Sequence, residues 1–94
     1  MLRPLKLSRE EAEVIALKAL AFLANDPARL ERFLALSGVS LSRIRDAAAN
    51  PQFLAGLLNH LLEDESLLLT FTAEQEFDPR LPALAADLLS SATP

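Results

Sequence analysis

Ninety-four residues suffice for one domain with a modest core, and the absence of cysteine excludes disulfides and thiolate chemistry. Apolar residues make up 51% of the chain, and because Leu, Ala, Glu and Arg are strong helix formers, this composition predicts an all-α fold. The net charge of −4 is uneven, with eight basic and six acidic residues in 1–47 but one basic and seven acidic residues in 48–94, so only the first half could offer a basic surface to nucleic acid.

The first predicted helix begins at a capping box and extends to about residue 24. Ser8 can accept the amide hydrogen three residues on, and Glu11 can accept the amide hydrogen of Ser8 in return. Apolar residues occupy two sides of this helix: Ile15, Ala19, Phe22 and Leu23 on one, and Val14, Leu17 and Ala21 on the other. A helix that is apolar on two sides is usually packed between neighbours, so we expect it to be central.

Caps followed by proline mark the next helices. Asp26-Pro27 starts the second helix, because Asp is a favourable N-cap and Pro suits the first helical position. Gly38 ends it, since glycine adopts a left-handed conformation at low cost. Ser40 is predicted to cap a short third helix that extends through residue 49. Asn50-Pro51 then starts a fourth helix, which continues to about residue 63.

Two more helices complete the predicted bundle. Asp64 caps the fifth, and its three consecutive leucines from position 67 cannot all face inward. Asp78-Pro79 opens the sixth, with Pro82 in its first turn or at its true start. We expect residues 1–7 to be an extension whose leucines lie across the bundle, and residues 91–94 to fray. The chain is therefore predicted to be a single domain, 1–94, of about six helices.

A shift of 38 residues aligns the chain with itself without a gap. Segment 13–49 then lies over segment 51–87, and both the caps and the apolar positions coincide. We therefore predict two duplicated three-helix units, 8–49 and 50–90, which pack with their long first helices together. Chance similarity between two helical segments rich in Leu and Ala is the alternative.

The two predicted copies differ most in charge. The four arginines of the first copy, Arg29, Arg32, Arg43 and Arg45, correspond to Leu67, Thr70, Leu81 and Ala83. Other differences replace Phe22 by His60, Lys18 by Gly56, and Leu36-Ser37-Gly38 by Glu74-Gln75-Glu76. If function resides in one copy, we expect it at these positions.

Residues that could support chemistry are few. The one histidine, His60, has Glu63 and Asp64 three and four residues on, which gives at most a weak cluster of two or three metal ligands. The simpler interpretation is a half-buried histidine at a former phenylalanine position. The acids at 63–65 lack the calcium-loop pattern, no Gly-rich phosphate loop is present, and no serine has an activating context. We expect no catalytic residue, metal, cofactor or small-molecule substrate, and therefore no enzyme.

Residues 30–48 resemble the helix-turn-helix of DNA-binding repressors. Gly38 allows the turn, and Arg43 and Arg45 would face outward to contact bases or phosphates. The motif usually has an alanine four residues before the glycine, where this chain has Leu34. An ordinary helix pair joined by a glycine turn is the other interpretation, so nucleic-acid binding is an alternative function.

The leading hypothesis is a protein-interaction module that binds a partner protein or forms a homodimer. If two packed halves do not cover all of the apolar surface, exposed leucines at Leu67 and Leu69 are one candidate surface. The other candidate surface is the basic face formed by the four arginines. For the apolar residues, full internal burial with scattered exposed leucines is the other interpretation. No apolar segment approaches the roughly 20 residues that span a bilayer, so we expect no membrane partner and a cytoplasmic location.

Several short patterns occur in order along the chain: Ala21-Phe22-Leu23-Ala24, Asp26-Pro27, Leu30-x-x-Phe33-Leu34, Gly38, Pro51-x-Phe53-Leu54 and Leu61-x-x-Asp64-Glu65. In these patterns the chain resembles a family of short bacterial proteins catalogued only as a domain of unknown function. The resemblance covers most of the chain. It implies a small helical cytoplasmic protein and carries over no activity, substrate or site residue.

Overall fold

The computed structural model describes residues 6–91, and these form six α-helices and no strand. The helices are α1 (Arg9–Ala24), α2 (Pro27–Ser37), α3 (Ile44–Ala47), α4 (Pro51–Leu62), α5 (Glu65–Gln75) and α6 (Leu81–Ser90). A 3₁₀ turn, Leu41–Arg43, leads into α3. The predicted all-α bundle is confirmed. The leucines at positions 2 and 5, and three of the four tail residues expected to fray, lie outside the described residues.

Most helix ends follow the local signals in the sequence. The capping box of α1 forms as predicted: the Glu11 amide donates to Ser8 Oγ at 3.1 Å, and the Ser8 amide donates to Glu11 Oε1 at 3.0 Å. The side chains of Asp26, Asn50 and Asp64 accept amide hydrogens in the first turns of α2, α4 and α5. These contacts satisfy donors that a helix leaves free at its start.

Two predicted side-chain caps do not form. The Asp78 carboxylate does not cap a helix that begins at Pro79; it accepts the Arg80 amide hydrogen at 2.9 Å, and α6 begins two residues later with Pro82 in its first turn. The Ser40 hydroxyl makes no cap bond to its helix and pairs with the Ser42 hydroxyl at 3.1 Å. The predicted third helix is reduced to a 3₁₀ turn and the four-residue α3, which buries no side chain.

The core lies between α1, α4 and α6, since α6 packs against both of the others and α1 also packs against α4. Its fully buried larger side chains include Leu23 of α1, Leu57, Leu58 and Leu61 of α4, and Leu89 of α6. The flanking helices α2 and α5 each insert one buried phenylalanine, Phe33 and Phe71. Among the described residues, no helix has the length and apolar character needed to cross a membrane.

Only one of the two apolar sides of α1 is buried. One side is buried against α4 and α6, as predicted. On the other side Val14 is 49% exposed, Leu17 is 46% exposed, and Ala21 is exposed. The prediction that α1 is packed between neighbours on both sides is therefore wrong, and an apolar stripe is left at the surface.

The helix bounds agree with the 38-residue register in the middle of each predicted unit. Pro27–Ser37 corresponds to Glu65–Gln75 residue for residue, and both helices end in a left-handed residue, Gly38 (φ 75°) and Glu76 (φ 56°). The third helices differ, because α3 is one turn at the surface and α6 is part of the core. The duplication and its division into units stay a prediction, supported by α2 and α5.

Aromatic contacts follow the same register across the predicted units. The Phe33 ring of α2 lies 5.2 Å from the His60 ring of α4, and the Phe71 ring of α5 lies 5.3 Å from the Phe22 ring of α1. A shift of 38 residues converts one pair into the other. The second helix of each unit thus contacts the first helix of the other unit.

Candidate interaction groove

A groove lies between α2 and α4 and extends to the start of α5. It consists of two adjoining cavities of about 420 and 370 Å³, which share Leu36, His60 and Glu63. The first is here called the apolar cavity, and the second, which reaches α5, the charged cavity.

Two phenylalanines form the floor of the apolar cavity. The buried Phe33 ring meets the Phe53 ring edge-on at 5.6 Å. Leu36 lies on the rim of the cavity with 69% of its surface exposed. Burying such a side chain would be favourable, because it removes apolar surface from water. On the opposite wall, Gly56 has no side chain, and a Cβ atom added there would have no other atom within 4 Å. This leaves the space beside Gly56 open. The cavity is therefore open and has an apolar centre.

The charged cavity has a basic wall on α2 and an acidic edge at the turn between α4 and α5. Its lining comprises Arg29, Arg32, Leu36, His60, Glu63, Asp64, Ser66, Leu67 and Thr70. Arg29 is held in place, because its Nε lies 3.5 Å from Asp26 Oδ2 and its Cζ lies 5.1 Å from the Phe22 ring centroid. Asp64 is engaged as the cap of α5, accepting the Leu67 amide hydrogen at 3.0 Å.

His60 lies where the two cavities meet. Burial lowers the pKa of its imidazole below the ordinary value of 6.5, and the positive charge of Arg32 lowers it further, while Glu63 and Asp64 act in the opposite direction. The ring is therefore mostly neutral at pH 7 and packs edge-on against Phe33. Within residues 6–91, no group of three or more His, Asp or Glu side chains is placed to hold a metal ion.

The structure divides the predicted interaction residues among different surfaces. Arg29, Arg32 and the half-buried Leu67 line the charged cavity. Arg43 and Arg45 lie beyond the Gly38 turn, in the 3₁₀ turn and α3, and line neither cavity. The exposed Leu69 also lies outside the groove.

The proposed helix-turn-helix lacks a second helix of useful length. Gly38 forms the turn in a left-handed conformation, as predicted. The segment after it holds only three residues of 3₁₀ turn and the four residues of α3, about 6 Å of α-helix at 1.5 Å per residue. A recognition helix needs to reach base edges with residues on more than one turn. Nothing in the described residues favours nucleic-acid binding.

A smaller cavity of about 280 Å³ between α1 and α5 is the counterpart of the apolar cavity. It is lined by Lys18, Ala21, Phe22, Asn25, Glu74 and Gln75. A shift of 38 residues places all six on residues of the apolar cavity, namely Gly56, Asn59, His60, Glu63, Leu36 and Ser37. The charged Lys18 and Glu74 of this cavity thus correspond to Gly56 and the exposed Leu36 of the apolar cavity.

Sequence reasoning identified these differing positions but missed the groove that they form. Leu36 and Gly56 are on separate helices, and only the packing of α2 against α4 brings them to one cavity. The paired replacement of Lys18 by Gly56 and of Glu74 by Leu36 was the available signal. It could not be interpreted without knowing that the second helix of one unit contacts the first helix of the other.

Residues 9–92 match the family model described as protein of unknown function, DUF3572. No curated protein matches the chain. No solved structure matches it either.

Proposed function

Since this chain belongs to the DUF3572 family of proteins of unknown function, we propose a function from its own surface: it is a non-catalytic, cytoplasmic protein-interaction module. The α2/α4 groove binds an amphipathic helix of a partner protein. A leucine or phenylalanine of that helix inserts between Leu36 and Gly56, above the two floor phenylalanines.

The observation that carries this proposal is the exposure of Leu36. Its side chain is 69% exposed on the rim of a cavity whose floor is formed by Phe33 and Phe53. Burial of apolar surface is the main favourable term in protein association. A groove between two helices, with an apolar floor, is a common binding site for the apolar side of a partner helix.

The charges around the groove specify the partner further. Arg32 on α2 and Glu63 at the end of α4 make no ion pair with a described residue and stand on different walls of the charged cavity. A polar rim around an apolar centre is typical of transient interfaces. The partner helix is therefore expected to carry an acidic residue toward Arg32 and a basic residue toward Glu63, with the apolar anchor between them.

The comparison with the counterpart cavity supports the same location. Lys18 and Glu74 place opposite charges on the two walls there, whereas the corresponding Gly56 and Leu36 leave the groove uncharged at its centre. Helix packing alone would form both cavities whether their walls were charged or apolar, so it does not account for this difference in charge. The apolar cavity is thus the one suited to an apolar anchor.

The absence of native cysteine allows a site-specific test. Ser37→Cys carries a photoactivatable crosslinker at the groove, and Ala73→Cys carries it on α5 as a matched exposed control. The crosslinked partner segment from native lysate is identified by mass spectrometry. The proposal requires that this segment be an amphipathic helix of the stated charge pattern, captured from position 37 and not from position 73.

A synthetic peptide of the captured segment completes the experiment. Leu36→Glu should weaken its binding at least about tenfold, because a charge replaces the apolar contact in the groove. Leu69→Glu changes an exposed leucine outside the groove and should leave the affinity unchanged. Equal capture at both cysteines, no capture at position 37, or a peptide affinity insensitive to Leu36→Glu would refute the groove.

A further inference from the structure

The exposed stripe of α1 has the spacing of a coiled-coil seam. Val14, Leu17, Ala21 and Ala24 are all exposed and follow one another at alternating three- and four-residue intervals. In heptad terms, the valine and the first alanine occupy a positions, and the leucine and the second alanine occupy d positions. A β-branched residue at a with leucine at d is the combination that favours two parallel helices.

The residues beside this seam carry opposite charges. Glu13 occupies the g position before Val14, and Lys18 occupies the e position after Leu17. Neither forms an ion pair with another described residue. The Lys18 ammonium lies 5.4 Å from the Phe77 ring centroid, a contact that it would exchange for an ion pair with a second copy.

A second copy of the chain fits this charge pattern in one orientation. In a parallel pair, the g residue of one helix faces the e residue five positions later in the other, and residues 13 and 18 have that separation. Symmetry then gives two ion pairs, each between Glu13 of one copy and Lys18 of the other. In an antiparallel pair, g faces g and e faces e, so like charges would meet. The stripe is therefore self-complementary only when the helices run parallel.

The corresponding face of α4 lacks these features. The 38-residue shift places Val14 on the polar Gln52, Leu17 on the buried Ala55, and Ala21 on the polar Asn59. An exposed apolar seam is thus specific to α1 and is not a general consequence of the predicted repeat.

We propose that this chain forms a parallel homodimer through the seam of Val14, Leu17, Ala21 and Ala24 on α1. The surface is separate from the α2/α4 groove, to which α1 contributes no residue. A dimer therefore leaves both grooves free and presents two copies of any binding site located there. The seam covers only two heptads, so dimerisation is of modest affinity.

Sedimentation equilibrium of the full chain, from about 1 μM to about 1 mM, tests the dimer over the range in which modest interfaces dissociate. The wild type should dimerise, and Leu17→Glu should weaken association at least about tenfold, since it places a charge in the seam of both copies. Leu36→Glu, at the groove, should leave the dimer unchanged, which separates this proposal from the groove. A monomer throughout, or a dimer insensitive to Leu17→Glu, overturns the proposal.

Charge-reversal variants beside the seam test the same contact without placing a charge in the seam itself. Glu13→Lys and Lys18→Glu should each weaken homodimerisation, because each brings like charges together across a parallel seam. An equimolar mixture of the two variants should recover association as a heterodimer. If the mixture associates no better than either variant alone, the ion pairs, and with them the parallel seam, are refuted.

Disulfide trapping in the cysteine-free background tests the orientation. Ala21→Cys should crosslink to itself under mild oxidation, because matching seam positions of parallel helices lie within disulfide range. Ala73→Cys on α5 is exposed and outside the seam, and should not crosslink above the level of random collision. A dimer that persists without an Ala21→Cys crosslink excludes the parallel arrangement.

Discussion

The helix ends at Gly38 and Glu76 allow a paired test of backbone strain. Both residues adopt left-handed conformations, with φ of 75° and 56°, and they correspond in the 38-residue register. After α2 the Gly38 amide donates to the Leu34 carbonyl at 2.9 Å, and after α5 the Phe77 amide donates to the Thr72 carbonyl at 2.9 Å. The hydrogen bonds of the two turns differ, but the left-handed position is the same and is occupied once by glycine and once by a residue that resists it.

The magnitudes follow from two opposing terms. A side chain in the left-handed region costs about 1–2 kcal/mol, while glycine loses about 0.5–1 kcal/mol more backbone entropy on folding. Gly38→Ala should therefore lower the free energy of unfolding by about 1 kcal/mol, and the backbone alone is responsible because no atom lies within 4 Å of the added Cβ. Glu76→Gly should raise it by up to about 1 kcal/mol, helped by removal of a negative charge from the C-terminal end of α5.

Urea unfolding followed by far-UV circular dichroism measures both changes. With an m value of about 1–2 kcal/mol/M, each midpoint should move by about 0.5–1 M, in opposite directions for the two variants. Ala35→Gly, at an exposed position inside α2, is the control and should destabilise by about 1 kcal/mol. If Glu76→Gly destabilises the chain as Ala35→Gly does, the left-handed residue at α5 is not strained and the reasoning fails.

Two pH-dependent predictions concern His60 and Asp78. Because the fold lowers the pKa of His60, its contribution to stability is complete above about pH 6.5 and is lost as the pH falls through the lower folded-state pKa. His60→Phe, which restores the residue found at the corresponding position 22, should remove this loss when unfolding is compared at about pH 7 and about pH 5. The Arg80 side chain and amide hold the pKa of Asp78 at about 2, so its contribution is complete above 3.8 and is lost as the pH falls through about 2. Asp78→Asn should be less stable than the wild type at neutral pH, with the difference closing in acid, and a constant difference would contradict the assigned ion pair.

Local interactions explain why most helix ends could be predicted. A cap joins residues two or three positions apart, so Ser8, Asp26 and Asp64 carry the necessary information in their own neighbourhoods. Asp78 had the same pattern but a different outcome, because its carboxylate binds both the amide and the guanidinium of Arg80 before the helix begins. Two prolines, at 79 and 82, each suited a first turn, and the sequence could not choose between them.

The candidate groove was only partly predictable. The comparison of the two predicted copies identified Leu36, Gly56 and His60 as positions that differ, and the structure brings these three together. It does not bring together the four arginines, since Arg43 and Arg45 follow the turn at Gly38 and lie outside the groove that Arg29 and Arg32 line. Which side chains share a surface depends on the crossing of helices that are distant in the chain.

The sequence by itself determined the helical class and the caps of α1, α2, α4 and α5, because propensity and capping act within a few residues. It did not determine which apolar side of α1 is covered. Ile15 and Leu17 belong to sides of similar apolar character, yet α4 and α6 bury the first and leave the second at the surface. Burial depends on contacts between helices far apart in the chain, so only the tertiary structure decided that α1 leaves an apolar stripe at the surface and that α2 and α4 form a groove.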